Sequence, residues 1–236
     1  MADHDPHAAH RRRWLIRTVV AVLVAVGLVV GGPWVYARFV VREPPDVLDL
    51  STPTSPMQGV PTGPIEIDGI WQVIAGSEAG YRLREVLSGQ ETIVVGRTDE
   101  VSGTVEIIDG FMTAATITVQ AGSISSDESA RDAYFRRALD TTSFPTATFT
   151  LTEPVDVSAL GTSAAPLSVA AVGTLTFHGV GQPVTTTFGV QRTAEGVEVA
   201  AQVPVTLADF DLEAPDLGWV VVDPTGTVEV LVQLGR

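Results

Sequence analysis

Across residues 197–207 every second side chain is apolar. Val197, Val199, Ala201, Val203, Val205 and Leu207 alternate with Glu198, Ala200, Gln202, Pro204 and Thr206. Successive side chains of an extended strand point to opposite faces, so this spacing gives a strand with one apolar side along its whole length. A helix cannot use the pattern, because a period of two carries apolar residues to every side of a 3.6-residue turn. The same alternation recurs at 228–234 and at 146–151, where Ala147, Phe149 and Leu151 are separated by threonines. Further strands are expected at 70–74, 78–86, 91–98, 101–108, 112–120, 168–177 and 183–192, with turn pairs such as Asp109-Gly110 and Glu195-Gly196 between them. Only 127–139 has the look of a helix, opened by Asp127 and Glu128 and closed by arginines. Eight to ten short strands and one helix make an all-β domain over residues 70–236, and connections this short favour antiparallel pairing.

What precedes the strands is of another kind. Residues 1–13 are polar and end in three arginines, and from Trp14 to Tyr36 the chain is apolar apart from Arg17. Continued through Phe39, Val40 and Val41, this 14–41 stretch is long enough at ~1.5 Å per residue to span a hydrocarbon core of ~30 Å as a single transmembrane helix. Arginines precede it and the bulk of the chain follows, which places residues 1–13 in the cytoplasm and the large domain outside the cell membrane. The alternative is a signal peptide, broken at Gly31-Gly32-Pro33 and removed, which leaves a secreted domain. Residues 42–69 hold six prolines and no long apolar run. They read as an extracytoplasmic stalk that could reach roughly 80 Å if extended at ~3.1 Å per residue.

Charge and residue usage exclude several functions. Beyond residue 42 the chain carries 26 acids against eight arginines and no lysine, a net of −18. Such a surface repels phosphate backbones, so no nucleic-acid partner is expected. The absence of cysteine removes disulfides, thiolate chemistry and zinc-ribbon spacings. Of the four histidines only His178 lies beyond the apolar segment, too few for a histidine-based metal cluster. No adjacent Ser, His and Asp set is apparent, and the GSISS stretch at 122–126 lacks the glycine on the far side of a serine that a nucleophile elbow needs. No cofactor and no enzymatic activity are expected.

Five segments then occur in a telling order: WQVIAGSEAGYRL at 71–83, VVGRTDEVSGTVEIIDG at 94–110, SISSDESARDAYFRRALDTTSFPTATFTL at 123–151, GTLTFHGVGQPVTTTF at 173–188 and ADFDLEAP at 208–215. Together they closely resemble the YceI-like family of lipid- and polyisoprenoid-binding proteins. The resemblance implies an up-and-down, lipocalin-like barrel of eight antiparallel strands with a nearby helix and an elongated apolar cavity. It also implies a long-chain isoprenoid or other lipid as partner. The anchor and stalk are departures from the family's usual soluble form. Oligomeric state is left open between a monomer and a homodimer.

The candidate ligand-binding residues are Trp71, Tyr81, Arg131, Phe149, Phe177, His178, Phe188, Val199, Val203 and Val230. For the apolar ones the competing reading is a filled core, and periodicity alone cannot say which strand face points inward. Arg131 either ties the helix to a neighbouring strand or caps the cavity mouth and meets a polar lipid head, a task Arg136 and Arg137 would share. His178 either makes a structural hydrogen bond at a turn or touches ligand. Gly179 and Gly181 flank that turn and are expected to have positive φ. The rival function is an envelope interaction or scaffold module whose barrel is packed solid.

Overall fold

The computed structural model describes residues 44–51, 60–61, 63–87 and 89–236. Eleven strands form one antiparallel sheet. They are β1 (Gly69–Val73), β2 (Glu78–Leu87), β3 (Gln90–Thr98), β4 (Val101–Ile108), β5 (Phe111–Gln120), β6 (Thr146–Leu151), β7 (Val155–Asp156), β8 (Leu167–Phe177), β9 (Val180–Arg192), β10 (Val197–Thr206) and β11 (Val220–Gly235). Eight of them close a barrel in the order β1, β4, β5, β6, β8, β9, β10, β11. The ring shuts where Gln72 and Val73 of β1 pair with Gly235 and Leu234 of β11.

The order is not the simple up-and-down succession expected from the sequence. β1 has five residues and covers only one end of the long edge of β11. The rest of that edge, from Val220 to Leu231, is taken by β2, which folds back on β3. The β2–β3 hairpin thus stands between β1 and its barrel neighbour β4 in sequence, and extends the wall at the opposite end. Two-residue turns at Asp109-Gly110 and His178-Gly179 have both residues at positive φ, 52° and 78° in the first and 52° and 74° in the second, the twist that matches flanking antiparallel strands. Gly181 is not among the positive-φ glycines and simply belongs to β9, contrary to expectation.

The expected helix is α1 (Ser129–Ala138). Its start is held by Glu128, whose carboxylate accepts from Ala130 N at 3.3 Å, and by Asp132, which accepts from Ser126 N at 2.9 Å and Ser126 Oγ at 2.7 Å. A second helix, α2 (Ser158–Thr162), was not expected. At five residues it is too short to show a period. It nevertheless buries Val157 and Leu160 against Trp71, Val105 and Leu234, plugging one end of the barrel. Toward the other end a 3₁₀ turn at Leu207–Phe210 drives Phe210 into a second cluster with Leu175 and Val203. Its ring stacks on Phe177 at 4.1 Å, burial worth roughly 1.5–3 kcal/mol.

The expected anchor at 14–41 lies outside the described residues, and among those described no helix is long and apolar enough to cross a membrane. The described parts of the 42–69 segment do not stand off as a stalk. Residues 44–51 lie as a strap on the outer wall. Pro45 O accepts from Arg82 at 2.8 Å, Asp46 O from Arg97 at 3.0 Å and Ser51 O from Gln191 at 3.0 Å. Ser51 in turn donates to Glu198 through both N and Oγ, each at 2.7 Å, and Leu50 packs over Gly189. Further on, Arg192 donates to the carbonyls of Pro61 and Gly63 at 3.1 and 2.7 Å, wrapping the chain round the plugged end. The Pro-rich composition predicted no helix, and the described residues of the segment form none. Free carbonyls in such a segment are also ready acceptors, and the barrel's arginines use them.

Candidate functional site

Inside the barrel are two chambers joined end to end. Both are bordered by Ala79, Val119, Ala147, Leu175 and Val228, which form the waist between them. The lower chamber, toward the α2 plug, has a volume of about 130 Å³, the upper one about 190 Å³. A single water needs ~10–15 Å³ by this measure, so the tube is hollow and not filled by its own side chains.

Strand alternation lines the lower chamber. Val197, Val199 and Val203 of β10 and Val228, Val230 and Val232 of β11 point inward, which settles the face that periodicity left open. No charged residue borders it, and its one side-chain hydroxyl is that of Thr148. Phe149 and Phe188 meet edge to face at 5.6 Å. The Phe149 ring lies where a side chain on Gly173 would stand, at 2.4 Å from a Cβ placed there. Trp71 floors the chamber, its indole N–H donating to Ile67 O at 2.8 Å and its ring covered by the Arg236 guanidinium at 4.4 Å. An indole so satisfied presents only carbon to the cavity. Phe149, Phe188, Val199 and Val230 are only partly buried although they face inward, because part of their surface borders the void.

The upper chamber reaches the surface, since its lining includes the exposed side chains of Tyr134, Phe144 and Glu213. α1 forms one side. Arg131, Tyr134, Phe135 and Ala138 all border the cavity, at the i, i+3, i+4, i+7 spacing of a single helix face. Phe135 stacks on Tyr81 at 4.7 Å, and Tyr81 occupies space that a side chain on Gly96 would fill, 2.4 Å from a Cβ built there. Burial raises the Tyr81 phenol well above the usual tyrosine value; Arg131 opposes the rise, and Asp132, Glu85 and Asp127 add to it. The phenol therefore keeps its proton and offers a neutral O–H to whatever enters.

Arg131 joins α1 to β2, donating to Glu85 at 3.3 Å and to Asp127 at 2.5 Å. Burial works against its charge, but the neighbouring Glu85 and Asp127 carboxylates outweigh burial and hold the guanidinium firmly protonated. With two carboxylates engaged it is a strut of the mouth, and a phosphate would have to displace them. His178 has its Nδ1 2.9 Å from Phe210 O and its ring edge-on to Phe144 at 5.3 Å. It pins the 3₁₀ turn while bordering the chamber, so the structural and lining roles fall on the same side chain.

All ten sequence-derived candidates border the cavity. Trp71, Phe149, Phe188, Val199, Val203 and Val230 are in the lower chamber and Tyr81, Arg131, Phe177 and His178 in the upper. The sequence reading missed Tyr134, Phe135 and Phe144, and Leu212, Pro215 and Val222 on the facing loop. The helical spacing from Arg131 to Ala138 was a usable signal for the first two. The loop residues carry none, because nothing local says that 211–222 folds over a mouth.

The sequence model of the YceI-like domain family matches residues 71–234. Among solved structures, the chain is similar to a polyisoprenoid-binding domain from Saccharophagus degradans implicated in plant cell wall breakdown. The identity is 19% and the TM-score 0.55, over 71% of this chain and 98% of that one. It is also similar to BcnA of Burkholderia cenocepacia, at 15% identity and a TM-score of 0.51, over 66% and 96% of the two chains. At these identities the likeness is one of fold. No curated protein matches the chain.

Proposed function

This chain belongs to the YceI-like family, and from that premise we propose that its barrel binds one long apolar lipid of polyisoprenoid type without transforming it. The observation that carries the proposal is the hollow, charge-free lower chamber continued by an upper chamber that opens at the surface. An apolar void of this size gains little from water, whereas each buried isoprene unit gains roughly 3–4 kcal/mol before the entropy of binding is charged. The chain end of the lipid sits in the lower chamber over Trp71. The polar end lies in the mouth, where Tyr81 and His178 give hydrogen-bonding groups and the paired Arg131 gives no free positive charge. A hydroxyl-ended or otherwise neutral lipid suits this mouth better than a phosphorylated one. The Saccharophagus domain of the same fold is described as polyisoprenoid-binding, which supports the ligand class. A barrel that served only as a scaffold has no use for the void.

The cell envelope is the setting the sequence supports, with residues 14–41 as the tether. Native mass spectrometry of the full chain extracted in mild detergent tests the reading. One lipid per chain is expected, replaced on addition of a polyprenol. A chain that emerges empty and takes up no polyprenol overturns it.

A further inference from the structure

We infer that the open end of the barrel docks onto the surface of a lipid bilayer, through a hairpin tip at Leu217 and Trp219 and the facing side chains of Tyr134 and Phe144. The inference extends the lipid-binding reading by saying where the ligand enters and leaves. It rests first on the shape of the rim. Residues 215–222 form a small hairpin, closed by Val222 N donating to Pro215 O at 2.9 Å and Leu217 N to Val220 O at 2.8 Å, and turned at Gly218 with φ 78°. Pro215 and Val222 at its base border the upper chamber. Leu217 and Trp219 at its tip are 56% and 61% exposed, an arrangement that costs solvation free energy in water and regains it in a bilayer interface, where tryptophan is favoured. Across the mouth, Tyr134 and Phe144 are likewise exposed while bordering the same chamber. Apolar side chains thus flank the opening on both sides.

The second argument is where the tether meets the barrel. The strap begins beside Arg82 and Arg97, and Arg82 lies between Tyr81 and Leu83, both of the upper chamber. Residue 44, where the described residues begin, therefore lies at the wall of the open half. The apolar 14–41 segment ends three residues earlier, a reach of about 11 Å at ~3.6 Å per residue. Residues 44–51 lie on the barrel wall as a strap instead of standing off as a spacer, so a tether that ends at residue 41 brings the open half near the bilayer. Ile70, Ile108 and Phe111 are also exposed, but they belong to the plugged half, away from the tether.

Charge selects the kind of surface. Arg84, Arg136 and Arg137 are the arginines near the mouth outside the ion pairs of the described residues, but Asp223 lies beside Arg84 and Glu213 and Asp216 belong to the hairpin side. With acids on the rim the contact is carried by apolar side chains, and a zwitterionic bilayer suffices.

The chain has no cysteine, so single labels are clean probes. Trp219→Cys at the hairpin tip and Phe111→Cys at the plugged end each receive a nitrobenzoxadiazole label, in the full chain reconstituted into phosphatidylcholine vesicles with brominated acyl chains. Quenching at 219 at least about threefold stronger than at 111 is expected, as is its loss when Leu217→Glu and Val221→Glu are added. Equal quenching at both sites, stronger quenching at 111, or failure of the full chain to enter the vesicles overturns the inference. Lipid load is read on the same preparations by native mass spectrometry. A loaded barrel with an unquenched 219 label defeats the docking and leaves the carrier standing. An empty barrel with a quenched label does the reverse.

Discussion

On β10 and β11 most side chains that point into the barrel are valines and those that point out include Glu198 and Glu229, yet water is shut out from the glutamates. Glu198 is 1% exposed and Glu229 0%, while inward-facing Val199 and Val230 remain partly accessible. Glu229 is held by Arg82 and Arg97, each at 2.5 Å, and roofed by the strap, with Leu48 N at 3.5 Å. Glu198 receives Ser51, Gln191 at 2.6 Å and Gln233 at 2.7 Å. On these two strands a polar cluster holds the outer face, while inside Val197, Val232 and Leu234 are packed toward the plugged end and Val199 and Val230 border the void. Alternation of apolar and polar residues says how a strand is oriented, and not which of its faces is packed.

That contrast can be broken first at Glu229. Glu229→Ala leaves two buried-side arginines without their carboxylate, and a loss of about 3–5 kcal/mol is expected in urea unfolding. A loss under about 1 kcal/mol would show that the outer cluster holds nothing. Next is Gly96→Ala, where the added methyl must push the Tyr81 ring off its stack on Phe135. A loss of about 1–3 kcal/mol is expected, together with weaker polyprenol uptake.

Glu198 gives a pH handle. Burial alone would raise its pKa, but hydrogen bonds from Ser51 N and Oγ, Gln233 and Gln191 hold it below the ordinary 4.5. A carboxyl lowered in the folded state stabilises fully above its unfolded value and loses that contribution as pH falls through the folded one. The strap is therefore secure at neutral pH and loosens below 4.5, which amide exchange of Leu48 and Ser51 reports. Ser51→Ala removes the hydroxyl donor, costs about 1 kcal/mol, and shifts the loosening to higher pH. Smallest in stability should be Val199→Trp, within about 1 kcal/mol if the indole enters the void, against roughly 1–3 kcal/mol in a packed core. Its mark is on the guest, with polyprenol load in native mass spectra falling about tenfold.

Much of the wall was legible. The alternating segments became strands within one to three residues except at 228–234, which continues back to Val220 with a register shift between Val222 and Gly226. Other features were not readable for physical reasons. A valine facing a void and one facing a neighbour leave the same pattern, so hollowness is invisible. Which strand takes the free edge of β11 depends on lengths matched between residues as far apart as Glu78 and Leu231. The strap looked like a spacer because its partners, Glu198 and Glu229, are 147 and 181 residues away. Of the mouth, the aromatic face of α1 could be read from its spacing, and the 211–222 loop could not.

The ring also carries a schedule. β11 follows every other strand in the chain and borders β10, β2 and β1 at once, so during synthesis the curved sheet from β4 to β10 must wait with its oily concave side uncovered. Final closure depends on contacts between residues some 160 positions apart, such as Val73 with Leu234, and such late, distant pairings fold slowly and invite association meanwhile. Closure of the ring is therefore the last step that the order of the strands permits, and it waits until β11 has been made.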